Sequence, residues 1–197
     1  MKHAVVHLRN SDAQLRTILD TYGLPIIPFR TAGFESMCLI ILEQQVSIAS
    51  AKACFVKLEQ HFGRLTPIKI ANAAERDLKN CGLSRQKISY LQDLSHKVLS
   101  KQINFISLKD KTEIEIRTAL RTIKGVGNWT IDVYLLFCLQ FEDIIPLGDI
   151  AIKNTMTELY NTTTIAEMET ISAPWKPYRS YATHILWHYY LIKRGRL

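Results

Sequence analysis

The stretch Leu120 to Leu136, LRTIKGVGNWTIDVYLL, holds the most informative chemistry of the chain. It contains a Gly-x-Gly turn, Gly125 to Gly127, between two helical segments. Glycine lacks a Cβ and tolerates φ > 0, so another backbone can approach such a turn closely. The N–H groups of both glycines, with those at the start of the next helix, make a concave donor site for a phosphate, and Lys124 adds a cation. An ordinary pair of helices joined by a glycine turn shows the same bare pattern. The amphipathic flanks and the basic character of the chain favour a clamp on a DNA backbone without sequence specificity.

Three further groups are candidates. Asp149 follows Pro146 and Gly148 at the start of a helix. Taken alone, an Asp after Gly at that position reads as an N-cap. His184 and His188 stand four residues apart on the last helix, a metal-ligand spacing. No third ligand and no HExxH pattern accompany them, so two core or surface histidines are the better reading. Cys38, Cys54, Cys81 and Cys138 form no CxxC pair and fit neither zinc nor iron–sulfur spacing. They read as small buried apolar residues in a reducing compartment.

Helical signals position these residues. Ser11 can cap a helix through Leu15, Ile18 and Leu19 that stops at Gly23. Phe34 to Gln44 reads as a buried helix, and Ser47 can cap the next, which Gly63 ends. A short helix from Ala74 to Asn80 ends at Gly82, and Ser84 opens a longer one with Ile88, Leu91, Leu94 and Val98 on one stripe. Thr112 and Glu115 form a capping box. Asn128 can cap the helix from Trp129 to Leu139. Asp149 to Tyr160, Thr164 to Ile171 and about Tyr178 to Lys193 complete the set. Only Ala4 to Leu8 offers a weak strand pattern. The expected fold class is all-α, with irregularly crossing helices.

Composition bounds the function. The chain has 197 residues, 47% of them hydrophobic, with a net charge of +7. A basic protein of this size has a raised expectation of a polyanionic partner, because neutralising phosphates releases counterions. No signal peptide is visible, and the longest apolar run, Val133 to Leu139, is too short to span a bilayer. The expectation is a soluble protein, not secreted, with no membrane partner.

Several segments together resemble one family. IKGVGNWTIDVYLL looks like the hairpin of the helix–hairpin–helix (HhH-GPD) DNA glycosylases, and IIPLGDIAIK like the Gly/Pro-rich loop and aspartate that complete the family's name. GFESMCLIILEQQVSIASAKA resembles the first core helix and its QQ-x-S turn, GLSRQKISYLQDLS the helix that follows, and WKPYRSYATHILW the closing helix of the 3-methyladenine DNA glycosylase II branch. The similarity runs in order from about Phe29 to Tyr189. It implies a two-lobed helical fold with a cleft between lobes. It also implies one domain over residues 1–197, with the helix–hairpin–helix at about 112–139. Residues 1–30 are too few for the N-terminal α/β domain of long relatives.

The resemblance further implies a monofunctional glycosylase, acting as a monomer on double-stranded DNA with alkylated bases. Bifunctional relatives carry a lysine nucleophile where this chain has Trp129, and the four-cysteine cluster of the endonuclease III branch is missing. Asp149 takes the place of the catalytic carboxylate. Trp129 and Trp187 match pocket aromatics. Tyr134 is a further pocket candidate, although it and Trp175 are as readily core. Gln45 corresponds to the wedge that fills the gap left by a flipped base. Ser47, Lys124, Gly125, Val126, Gly127 and Asn128 fall at DNA-contacting positions. The carbonyls of Arg121, Ile123 and Val126 match those that hold a structural Na⁺ or K⁺, and no catalytic cofactor is implied. Location would follow the DNA: nucleoid in a bacterium, nucleus in a eukaryote. Two other readings stay open: a non-catalytic protein that binds damaged DNA, and a glycosylase with lyase activity through Lys124 or Lys153. Arg179 and Ser180 fit the closing motif, in DNA contact or in helix packing.

Overall fold

The structure is a computed structural model that describes residues 2–196. Among these residues there are thirteen α-helices and no strand. In chain order the helices are α1 (Lys2–Ser11), α2 (Ala13–Tyr22), α3 (Phe34–Glu43), α4 (Ile48–Phe62), α5 (Pro67–Asn72), α6 (Glu75–Asn80) and α7 (Arg85–Leu99). There follow α8 (Phe105–Leu108), α9 (Glu113–Arg121), α10 (Asn128–Phe137), α11 (Ile150–Tyr160), α12 (Ile165–Ser172) and α13 (Arg179–Lys193). A 3-10 turn, Ala173–Trp175, precedes the last helix.

The chain divides into two compact units. One comprises the residues up to Phe29 with those from Leu135 onward, and the other Arg30–Tyr134. In the first unit α2, α11 and α13 pack around Leu15, Ile18, Ile152, Met156, Ile185 and Leu186, all 2% exposed or less. Asp12 ties this unit together. Its Oδ1 caps α2 by accepting from Leu15 N at 2.9 Å and also accepts from the Tyr160 hydroxyl at 3.0 Å. Its Oδ2 accepts from the Trp175 indole at 3.0 Å. Three elements thus share one half-buried carboxylate, and such a satisfied polar group specifies their packing.

In the second unit α7 lies against α3, α5 and α6. The caps follow the sequence: Ser47 accepts from Ser50 N, Ser84 from Lys87 N, and Thr112 with Glu115 closes a full capping box.

Three local expectations are corrected. Ala4 to Leu8 is helical, because Ala4 and Leu8 fall four residues apart on one buried face of α1. The cap of α2 is Asp12, while the Ser11 hydroxyl bonds back to His7 O at 2.8 Å within α1. Asn128 is the first residue of α10 rather than its cap, and its side-chain oxygen accepts from the Arg121 guanidinium. The short helices α5 and α8 carry too few residues to show a period.

Candidate functional site

Asp149 sits at the N-cap of α11, as its position after Gly148 predicts. Its Oδ1 accepts from Ala151 N at 2.9 Å, from Ile152 N at 3.1 Å and from the Trp187 indole Nε1 at 3.2 Å. Convergence of three donors on one oxygen fixes the plane of the carboxylate at the positive end of the helix. The side chain is half-buried, so it retains access to solvent.

Behind it lies an aromatic cluster. Trp187 stacks on Phe137 with ring centroids 5.4 Å apart and planes 11° from parallel. His184 meets the Phe137 ring edge-on at 5.7 Å. Burial pushes the His184 imidazole down to about 4, so it is neutral near pH 7 and adds no cation to this cluster. His188 turns elsewhere and bonds to Tyr22 O at 3.1 Å, so the two histidines do not converge. Among the described residues no group of three or more His, Cys, Asp or Glu could hold a metal ion.

The loop that delivers Asp149 is anchored by α13. Arg179 clamps Asp143 with Nε–Oδ1 at 2.7 Å and Nη2–Oδ2 at 2.8 Å. Burial acts to raise the Asp143 carboxyl, but the Arg179 bonds and charge outweigh it and hold the group below its ordinary value. Ser180 Oγ accepts from Ile144 N at 2.9 Å and donates to Phe141 O, and Thr183 Oγ1 donates to Ile144 O at 3.2 Å. Within the protein, Arg179 and Ser180 therefore hold the strap that ends at Asp149. From there Asp149 N donates to Pro146 O at 2.8 Å, a tight turn that sets the start of α11.

The second unit holds the hairpin turn Thr122–Gly127 with α9 before it and α10 up to Tyr134 after it. Only Gly125 has positive φ, at +76°, and a Cβ there would overlap the Tyr90 ring. Gly127 has no positive φ and faces open space, so the expectation of φ > 0 holds for one glycine of the pair. Lys124 N donates to Asp93 Oδ2 at 2.7 Å and Val126 N to Ile123 O at 3.1 Å. Neither of those N–H groups is offered to a phosphate in this arrangement. Val126 is itself buried, at 5% exposure. The hairpin helices are pinned by Arg117 on α9, which bonds Asp132 on α10 at 2.6 Å and Glu113 at 2.7 Å.

Residues 38–180 match the HhH-GPD superfamily of base excision DNA repair proteins. The chain is 30% identical over 196 residues to the alkylbase DNA glycosidase-like protein mag2 of Schizosaccharomyces pombe, a match that takes in 94% of this chain and 92% of mag2. The chain belongs to the HhH-GPD superfamily. A Bacillus subtilis DNA-3-methyladenine glycosylase is 28% identical over 181 residues, which span 84% of this HhH-GPD protein and 59% of the relative. The fold superposes on that of Schizosaccharomyces pombe 3-methyladenine DNA glycosylase Mag1, solved with abasic DNA, at a TM-score of 0.85 and 23% identity, covering 98% of this chain and 97% of Mag1.

The first unit of this HhH-GPD protein brings Asp149 and Trp187 into direct contact. Trp129 lies partly exposed in the first turn of α10. Tyr134 is fully buried, with the Phe105 ring 5.6 Å away, so it belongs to the core and presents no face to a base. Trp175 is likewise fully buried. Gln45 is exposed at the tip of the α3–α4 turn with φ +57°, a left-handed residue that is not glycine. Ser47 caps α4 beside it. Phe137 and Asp143 were not singled out by the sequence. Phe137 lies within an apolar run, and Asp143 finds Arg179 36 residues away.

Proposed function

We propose that this HhH-GPD protein is a monofunctional DNA glycosylase. It hydrolyses the N-glycosidic bond of alkylated purines, of the 3-methyladenine and 7-methylguanine type, in double-stranded DNA during base excision repair. The observation that carries this reading is the Asp149 carboxylate, oriented by two backbone N–H groups and the Trp187 indole. Breaking the bond leaves an oxocarbenium-like sugar, and glycosidases commonly use two carboxylates for the task. An N3- or N7-alkylated purine already carries positive charge and leaves without a general acid. One carboxylate then suffices, to stabilise the cationic sugar and to orient or deprotonate the attacking water.

The remaining residues take roles that fit their places. Trp187, in contact with Asp149 in the first unit, offers a π-face to a cationic base, at about 0.5–2 kcal/mol for a good contact. Gln45 fills the space the flipped base leaves. Lys124, Gly127 and the first turn of α10 meet the backbone phosphates. Trp129 is no nucleophile, so abasic strands are left uncut. A monovalent cation fits the carbonyls of Arg121, Ile123 and Val126. The end of α9 at Arg121 leaves carbonyls beyond its hydrogen-bonded turns, and Ile123 O keeps a second lone pair beside its bond from Val126 N. Such an ion would add positive charge for a phosphate. The 197 residues act as one monomeric functional domain, wherever the DNA lies.

Mass spectrometry of bases released from methylated DNA tests the reading. Wild-type protein is expected to release 3-methyladenine or 7-methylguanine, and Asp149→Asn to slow release by at least about 100-fold. Full activity in Asp149→Asn would refute the mechanism. Duplex binding without release from any alkylated or deaminated base would make the protein a damage-binding module instead. A borohydride-trapped adduct would show a lyase.

A further inference from the structure

Gln44 has no role in the chemistry above, yet it joins two DNA-facing parts of the second unit. It is the C-cap that follows α3, directly before the left-handed Gln45. Its Nε2 donates to Gly125 O at 2.9 Å, in the hairpin turn, and to Thr130 Oγ1 at 2.9 Å, on α10. Thr130 is 2% exposed, so this second bond is made inside the fold. One amide thus reaches across 81 and 86 residues of sequence.

Helix α7 frames the same junction from below. Lys87 Nζ donates to Leu42 O at 2.5 Å, at the end of α3. Tyr90 fills the space over the Cα of Gly125, and Asp93 Oδ2 accepts from Lys124 N at 2.7 Å. Residues 87, 90 and 93 follow helical spacing along one side of α7. They support the α3–α4 turn at one end and the hairpin turn at the other. Only Gln44 connects the two turns directly, among these contacts.

We infer that Gln44 is a positioning residue that sets the Gln45 wedge turn against the phosphate-gripping hairpin, so that backbone grip and wedge insertion act as one. The inference rests on the wedge and hairpin roles proposed above. It does not require base release. A hairpin seated on a phosphate then places Gln45 at a fixed offset along the duplex. Loss of the Gln44 bonds would leave grip intact and blur that offset.

The test uses full-length protein and duplexes carrying a tetrahydrofuran abasic analogue with 2-aminopurine beside it. Gln44→Met keeps length and removes the donor. It is expected to reduce the preference for analogue over undamaged duplex by about three- to tenfold, the loss of one or two hydrogen bonds. The 2-aminopurine rise on binding should fall in parallel, with affinity for undamaged duplex within about twofold of wild type. Thr130→Val removes one bond only and should move both readouts the same way, by less. Gln44→Met should add little to Gln45→Ala, since both act through the wedge. Wild-type preference and fluorescence in Gln44→Met would overturn the inference. So would an equal loss on both duplexes, which marks a merely structural role. A Gln45→Ala variant with wild-type fluorescence would overturn the wedge reading and this inference with it. Absence of base release in the separate assay would overturn only the enzymatic reading.

Discussion

Gly125 and Gly127 stand two residues apart and answer to different demands. Gly125 sits at φ +76° with the Tyr90 ring against it. An alanine there pays about 1–2 kcal/mol for the left-handed backbone, before any displacement of the ring. Gly125→Ala is therefore expected to lower Tm by at least about 2 °C, measured by circular dichroism. Gly127 has an ordinary backbone and open space around it. Gly127→Ala should leave Tm within about 1 °C and weaken duplex binding instead, because the new methyl would obstruct the phosphate contact proposed there. A Tm loss in Gly127→Ala equal to that of Gly125→Ala would show that both glycines serve the fold alone. Residue type announced this turn, but only the structure divides the labour. The same holds at Asp149, where the cap was legible in Gly148–Asp149 and the indole bond from Trp187 was not. A contact between single side chains 38 residues apart leaves no local pattern.

Helices were legible where a cap and a sustained apolar period coincide. Ser47, Ser84 and Thr112 each stand at the cap that the sequence predicts. The errors fall where a segment is short or where two polar residues compete for one cap, as at Ser11 and Asp12. Pairing between helices was not legible, and the hairpin shows why. Asp132 lies on the buried side of α10, 6% exposed, and its partner Arg117 comes from α9. Burial pushes the Asp132 carboxyl up to about 6, and the Arg117 bonds and charge only partly offset it. The unfolded value is about 3.9. The folded state therefore binds this proton more tightly, and the associated stability is present below about pH 4 and lost as pH rises through 6. Asp132→Asn removes that dependence. Its stability relative to wild type should increase between about pH 4 and 6 and level off above, followed by urea unfolding. A difference that is flat over this range would mean that Asp132 ionises in the fold as it does in the unfolded chain. Arg117→Ala is the harsher change, since it leaves a buried carboxylate without its partner. A cost of about 2–3 kcal/mol is expected, below that of a fully buried pair because Arg117 is a quarter exposed.

At the scale of the whole chain the governing quantity is charge. With 25 Lys and Arg against 18 Asp and Glu, the molecule carries +7 before any cation joins it. No described helix is long and apolar enough to cross a membrane. Charge alone names no partner, and many basic proteins bind nothing. What gives it direction here is family membership and a hairpin whose Lys124 is exposed beside Gly125. Binding to DNA by phosphate neutralisation has a measurable signature, a linear fall of log K with log salt at about 0.9 per phosphate contact. Lys124→Ala should reduce that slope by about 0.9 and weaken damaged and undamaged duplexes by the same factor, since a phosphate contact carries no information about the base. Asp149→Asn should leave the slope where it was, because in the proposed mechanism its carboxylate serves the reaction and releases no counterion. The two variants separate holding from cutting within one titration series. An unchanged slope in Lys124→Ala would remove the hairpin lysine from the DNA contact, and the grip would then have to come from other cations of this basic chain.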